Sequence, residues 1–168
     1  MDVEQICPAS ADDAPALWPI FQEVIADGTT YVQDETTTMN DFRAYWFERG
    51  GVQWMALDGA RALGGYTLRA NYAGRGAHIA TASYIVSTAA RGRGLGRRLG
   101  EHSLQEARRL GFRGMQFNFV VSGNLAAVRL WQSLGFDIVG KLPGVFRHPT
   151  DGFVDACVMF LSLTPPTV

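Results

Sequence analysis

Arg91-Gly92-Arg93-Gly94-Leu95-Gly96-Arg97-Arg98-Leu99 is the stretch on which the rest of the chain turns. Residues 78–87 before it are rich in β-branched and aromatic side chains and read as a strand. Residues 95–110 after it place Leu95, Leu99, Ala107 and Leu110 on one helical face with arginines on the other. A glycine-rich turn that leaves a strand and opens a helix presents unpaired backbone N–H groups, and glycines let an anion approach the main chain closely. Pyrophosphate is the expected ligand. The dinucleotide spacing G-x-G-x-x-G fails, because the sixth position is Arg97 counted from Gly92 and Leu99 counted from Gly94. A Walker-type loop is excluded as well, since the sole lysine, Lys141, is followed by Leu142.

Working outward, Ser10 or Asp12 is placed to cap a first helix that tolerates Pro15 in its first turn. That helix carries Ala16, Leu17, Ile20, Phe21, Val24 and Ile25 as an apolar stripe and stops at Gly28. Residues 3–7 before it alternate weakly and are expected to form a strand ending at Pro8. Thr38 with Asp41 has the form of a capping box for a second helix through Phe42, Tyr45 and Trp46, ended by Gly50 and Gly51. The period then changes to two: a strand over 53–57, a turn at Asp58-Gly59, and a strand over 62–71 in which Gly64 and Gly65 mark a bulge or a close backbone approach. After the loop 72–77 comes the strand 78–87. Beyond the glycine-rich turn and its helix, capped at Gly111, a strand is expected over 115–121 and a helix over 124–134 ended by Gly135. A strand over 136–141 and a closing hairpin follow, with the hairpin turn near Asp151-Gly152 and a last strand over 153–163. Helices, a β-meander and a β-loop-α-β-α-β-β tail together predict an α/β (α+β) domain with a mixed sheet.

The 168 residues are read as a single domain, 1–168, with 164–168 a frayed tail. With 47% hydrophobic and 18% charged residues the composition is that of a globular chain, not a disordered one. The longest clean apolar run, 156–161, is too short for a membrane span. Asp2, Glu4, Asp12, Asp13 and Glu23 do not fit the cationic start of a secretory signal, so a cytoplasmic location is expected. A net charge of −1 provides no global field for nucleic acid; the arginines at 91–98 are a local cluster. Two cysteines at opposite ends and three isolated histidines support neither a disulfide framework nor a metal site.

Arg91-x-x-Gly94-x-Gly96 resembles the Q/R-x-x-G-x-G/A acyl-CoA loop of the GNAT N-acetyltransferases. The run Asn124-x-x-Ala127-Val128-x-Leu130-Trp131-x-x-Leu134-Gly135-Phe136 is similar to their N-x-x-A-x-x-L-Y-x-x-x-G-F segment. The resemblance extends over most of the chain and is weakest over 26–52. It implies a GNAT fold with a central sheet of six to seven strands and flanking helices. Acetyl-CoA would lie in the splay between two parallel strands, 78–87 and 115–121, as co-substrate. On the same ground Arg91, Gly92, Arg93, Gly94, Leu95, Gly96 and Arg97 are expected to hold the pyrophosphate. The main chain at Ile85 and Val86 would pair with pantetheine, and Asn124 and Trp131 would stand near the coenzyme.

A closer resemblance is carried by Asn71-Tyr72-Ala73-Gly74-Arg75, the strand from His78 to Val86, Phe117-Asn118-Phe119-Val120 and Val154-Asp155-Ala156. These segments are similar to fungal acetyltransferases of azetidine-2-carboxylate and related imino acids. Gly28-Thr29-Thr30-Tyr31 with Glu35 is loosely similar to phosphinothricin acetyltransferases. The resemblance thus implies direct attack of a small-molecule amine on the thioester, with the N–H near Val86 as oxyanion donor.

The chain departs from the family at both acid–base positions. Trp131 stands where many members have a tyrosine acid, and an indole only donates. Thr81 stands where related enzymes have a carboxylate or asparagine. A water-relayed proton, or an amine that arrives neutral, is therefore expected. Asn118 is a candidate to bind an acceptor carboxylate or order a relay water, against an ordinary strand-edge amide. Tyr31, Phe42, Tyr45, Trp46 and Trp54 are either a pocket wall or core, and Asp34 and Glu35 either ammonium ligands or solvated acids. Arg98, Arg108 and Arg109 belong to a solvated helix face or, for Arg98, to the anion site. His78 reads as structural, and Asp155 as a buried, satisfied carboxylate. Protein or peptide N-acetylation and a non-catalytic acyl-CoA sensor remain as alternatives; residues 143–150, read as a rigid cap over the site, favour a small acceptor. A homodimer is compatible with the fold, and no residue specifies its interface.

Overall fold

The computed structural model describes residues 5–164. Along them run β1 (Gln5–Ala9), α1 (Ala14–Asp27), α2 (Met39–Phe47), β2 (Val52–Asp58), β3 (Arg61–Ala70) and β4 (Ile79–Val86). Then come α3 (Leu95–Arg109), β5 (Gly114–Val121), α4 (Leu125–Ser133), β6 (Asp137–His148) and β7 (Gly152–Ser162). The seven strands hydrogen-bond in the order β1-β2-β3-β4-β5-β7-β6. β4 and β5 pair in parallel at Ile79↔Gly114 and Ala80↔Met115, while β1–β2, β2–β3, β5–β7 and β6–β7 are antiparallel. This is the mixed α/β sheet with flanking helices that the sequence predicts. Val3, Glu4 and residues 165–168, which enter the expected first strand and the tail, lie outside the described residues. β1 runs on past Pro8, and at the edge of the sheet a proline without an N–H interrupts no second ladder.

The chain divides into two compact units. One comprises the chain to Arg69 with Ser83–Leu99; the other comprises Ala70–Ala82 and the chain from Gly100.

In the first unit Ser10 caps a 3-10 turn, in a capping box with Asp13, and α1 follows from Ala14 with Pro15 in its opening turn. The predicted Thr38–Asp41 box is present at the start of α2, and the Asp41 carboxyl is held below its ordinary range by the Thr38 hydroxyl and N–H. Leu17, Ile20, Phe21, Val24 and Ile25 of α1 pack with Phe42 and Trp46 of α2 and Ile85 of β4. Phe42 and Trp46 are thus core. Gly64 and Gly65 sit where both expectations meet. The β2–β3 register shifts between Ala56 and Leu57, and a Cβ at Gly64 would stand 2.5 Å from the Ile85 carbonyl oxygen.

In the second unit β7 lies between β5 and β6. Phe117 stacks on Phe136 at 4.4 Å and meets Trp131 at 4.7 Å. The expected strand over 136–141 runs instead from Asp137 to His148, so residues 143–148 of the predicted cap belong to a paired strand. Pro143 and Gly144 fall in a register shift between Leu142 and Phe146 on an edge strand, where a missing N–H is tolerated. Gly144 takes φ +60°, and its N–H donates to Asp155 Oδ1 at 2.9 Å. Leu110, predicted inward, is 41% exposed. α3 stops at Arg109 and Gly111 turns left-handed, so Leu110 falls past the last turn that faces the core.

Candidate active site

The segment after β4 is assembled from local rules. Thr88–Ala90 forms a 3-10 turn, with Ala90 N–H donating to the Ser87 carbonyl at 3.0 Å and Arg91 N–H to the Thr88 carbonyl at 3.3 Å. Glu23 of α1 clamps that turn: its Oε2 accepts the Thr88 N–H at 2.8 Å and the Thr88 hydroxyl at 3.0 Å. Arg91 lies 4.0 Å from Asp27, also on α1. Neither acid carried a signal in the sequence, because both sit on the polar face of an ordinary amphipathic helix.

Gly92 and Gly94 adopt φ of +73° and +77°, a region that costs other residues roughly 1–2 kcal/mol. A Cβ at either would meet nothing within 4 Å, so both glycines serve backbone conformation and leave open space above the loop. The first helical bond of α3 runs from Arg98 N–H to the Gly94 carbonyl at 3.1 Å. The N–H groups of Leu95 and Gly96 therefore precede any intrahelical acceptor. Leu95 and Leu99 are buried and fix the helix start, while Arg91, Arg93, Arg97 and Arg98 are exposed. Ser87 keeps a buried hydroxyl with no hydrogen-bond partner among the described residues. Of the two β4 positions expected to meet pantetheine, Ile85 turns its side chain into the α1–α2 core and Val86 is half-buried.

The remaining predicted residues lie in the second unit. Thr81 is 8% exposed on β4. Asn118 is exposed on β5, within a register shift of the β5–β7 ladder between Phe117 and Val120. Such an irregularity re-aims a side chain. Asn118 forms a reciprocal amide pair with Asn71: Asn118 Nδ2 donates to Asn71 Oδ1 at 2.6 Å, and Asn71 Nδ2 donates to Asn118 Oδ1 at 3.1 Å. Gln116 Nε2 adds a second donor to Asn118 Oδ1 at 2.8 Å. Each asparagine amide carries one further N–H beyond these bonds. Asn71 and Gln116 had no assigned role in the sequence, and the separation of 47 positions from Asn71 to Asn118 leaves no periodic pattern to link them.

Asn124 caps α4, its Oδ1 accepting the Ala127 N–H at 3.2 Å. Trp131 packs against Phe117 and Phe136, and a Cβ at Gly100 would stand 3.1 Å from its ring. The larger indole fits because Gly100 on α3 makes room for it.

Other candidates resolve into structural parts. Asp34 accepts the Thr36 N–H at 3.0 Å and the Thr36 hydroxyl, closing a turn. Arg109, read as solvated, donates through Nε and Nη2 to Glu106. Asp155 is satisfied but not buried. It accepts the Gly144 N–H and pairs with Lys141 Nζ at 2.9 Å, and these bonds hold its carboxyl below the ordinary range. Tyr31 donates to the Tyr84 carbonyl at 2.7 Å, and burial pushes its phenol well up. Among the described residues no group of His, Cys, Asp or Glu is placed to hold a metal, and no helix is long and apolar enough to cross a membrane.

Residues 17–136 match the sequence pattern of the acetyltransferase (GNAT) family. N-acetyltransferase aca1 of Schizosaccharomyces pombe is 36% identical over 97 residues, which cover 57% of this chain and 46% of that protein, so the chain spans about half its length. The L-methionine sulfoximine/L-methionine sulfone acetyltransferase of Pseudomonas aeruginosa is 29% identical over 163 residues, 94% of this chain and 93% of that one. A GCN5-related N-acetyltransferase from Kribbella flavida superposes with a TM-score of 0.88 at 42% identity, over 94% of this chain and 96% of the other. The yncA protein of Salmonella typhimurium, solved with its cofactor acetyl-CoA, does so at 0.84 and 25% identity, over 98% and 96%.

Proposed function

The chain belongs to the acetyltransferase (GNAT) family, and on that premise we propose that it is an acetyl-CoA-dependent N-acetyltransferase, cytoplasmic, acting on the amine of a small amino- or imino-acid-like acceptor. The observation that carries the coenzyme assignment is the loop with two left-handed glycines, open above, at the start of α3. Gly92, Gly94, Leu95 and Gly96 offer main-chain N–H groups to the pyrophosphate, and Arg91, Arg93 and Arg97 supply charge. The main chain of Ile85 and Val86 pairs with pantetheine, and Val86 N–H stabilises the oxyanion. Asn124 and Trp131 line the coenzyme side, with Trp131 as packing rather than acid. The acceptor class is supported by the end-to-end likeness to the Pseudomonas aeruginosa enzyme, which is named for its action on modified amino acids.

Transfer requires a neutral amine held in line with the thioester. The C–N bond forms as the C–S bond breaks, and the amine proton leaves to solvent while thiolate departs. Thr81 cannot serve as a base near neutral pH, so orientation carries most of the rate; positioning contributes about 7–11 kcal/mol in such reactions. Asn118, held by Asn71 and Gln116, is the group we assign to orient the acceptor or an ordered water.

The test is free-thiol release from acetyl-CoA across L-methionine sulfone, phosphinothricin, azetidine-2-carboxylate, hydroxyprolines, polyamines and a peptide. Turnover of the amino- or imino-acid members supports the reading, and Asn118→Ala should then raise the acceptor KM about tenfold with acetyl-CoA KM unchanged, the size of one lost hydrogen bond to a charged group. Turnover of the peptide alone would overturn the acceptor class.

A further inference from the structure

Around Tyr45 of α2 the first unit gathers charge and hydroxyls that no step above uses. The Arg49 guanidinium stands over the Tyr45 ring at 5.5 Å from its centroid. The Tyr45 hydroxyl meets Ser83 Oγ on β4 at 2.9 Å. Gly50 and Gly51 both turn left-handed after Arg49, and a Cβ at Gly51 would lie 2.6 Å from Arg69 Cβ, so this turn folds directly onto Arg69 of β3. Arg69 is half-buried; burial pulls its basicity down, the like charge of Arg49 adds to that, and the Tyr45 phenol opposes it. One guanidinium is thus held over the phenol, and Arg69 adds a second cationic side chain packed under the same turn. An anion is the ligand that such a pair favours most, and a carboxylate fits the planar guanidinium fork.

We propose that Arg49 and Arg69, with the Tyr45 and Ser83 hydroxyls, form the seat for the carboxylate of the acceptor. The proposal rests on the acetyltransferase reading above and narrows it to acceptors that carry a carboxylate near the reacting amine. Ser83 and Ile85 share one face of β4, about 7 Å apart along the strand. An amine one or two bonds from a carboxylate seated at Ser83 therefore falls near the main chain assigned to the thioester. The coenzyme phosphates have their own loop at 91–97, which leaves this second cationic group for a different anion.

The experiment compares L-methionine sulfone and azetidine-2-carboxylate with the methyl ester of each, in steady-state acetylation by the wild type and by Arg49→Met, Arg69→Met, Arg69→Lys and, as a control on the exposed start of β3, Arg61→Met. The wild type is expected to prefer each acid over its ester by tenfold or more. Arg49→Met and Arg69→Met should raise the KM of the acid 10- to 100-fold, leave kcat within threefold and the acetyl-CoA KM unchanged, and erase the preference. Arg69→Lys should recover part of it, and Arg61→Met should change nothing. An unaltered acid-to-ester ratio in both methionine variants overturns the proposal while the acetyltransferase reading stands. A rise in the acetyl-CoA KM instead overturns it too, by giving the anion to the coenzyme. If no acceptor turns over, calorimetric binding of the two acids to the CoA-loaded protein decides: arginine-dependent binding sustains the seat while the activity reading fails, and absence of binding overturns the seat.

Discussion

Gly65 in β3 and Gly94 before α3 are the same residue used for opposite reasons. A Cβ at Gly65 would stand 2.5 Å from the Trp54 carbonyl oxygen and against Leu17, so there the missing side chain lets backbone and helix pack. A Cβ at Gly94 would touch nothing, and there the missing side chain permits φ +77° and keeps the approach to the helix start clear. Crowded glycines are demanded by the fold, and open left-handed ones by the shape of a loop. The surroundings distinguish the two, since both appear in the sequence as small residues beside a strand.

The strongest way to break this contrast is Gly65→Val. It should lower the free energy of unfolding by about 3 kcal/mol or more, because backbone must move to admit the side chain; chemical denaturation measures it, and the folded fraction should keep its acetyl-CoA KM. Gly94→Trp should do the reverse. Acetyl-CoA affinity is expected to fall at least about 100-fold, roughly 2.7 kcal/mol, with a stability loss near 1–2 kcal/mol from the left-handed backbone alone. A folded Gly94→Trp protein that binds acetyl-CoA as before would remove the pyrophosphate assignment. Glu23→Ala sharpens the comparison by loosening the loop without touching a glycine. Losing the two bonds to Thr88 should raise acetyl-CoA KM about three- to tenfold, roughly the net worth of one ordinary hydrogen bond, in initial-rate kinetics.

The smallest effect is expected at Asp155, in the second unit. Its folded-state carboxyl titrates lower than in the unfolded chain, so its contribution to stability is present above the ordinary carboxylate range and is lost as pH falls through the folded value. Asp155→Asn should therefore lower the melting temperature slightly at pH 7, and the gap to wild type should close below about pH 4. A gap that persists into acid would show that Asp155 acts by some means other than its charge.

Much of the fold was legible because its signals are local. Thr38 with Asp41, Pro15 in the first turn of α1, Gly28 and the Asp58-Gly59 turn each act within a few residues, and each stands where expected, whereas β3 is buried on both faces over 63–68 and does not alternate. The reading went astray where a distant partner altered the meaning of a residue. Residues 143–150 look like a rigid cap until β7 pairs with Phe146, Arg147 and His148, and Leu110 looks inward until α3 stops short of it.

The same division holds at the site. The loop from Arg91 to Arg97 could be named from order and spacing, because a helix start exposes its N–H groups wherever it occurs. The grip of Glu23 on Thr88, the amide cluster of Asn71, Gln116 and Asn118, and the gathering of Arg49, Arg69, Tyr45 and Ser83 could not. Sequence alone specified the elements, their order and the glycine-rich turn at the start of α3, since these depend on neighbours along the chain. Which polar side chains meet depended on strand pairing and helix packing, which join residues dozens of positions apart and leave no period in the sequence to read.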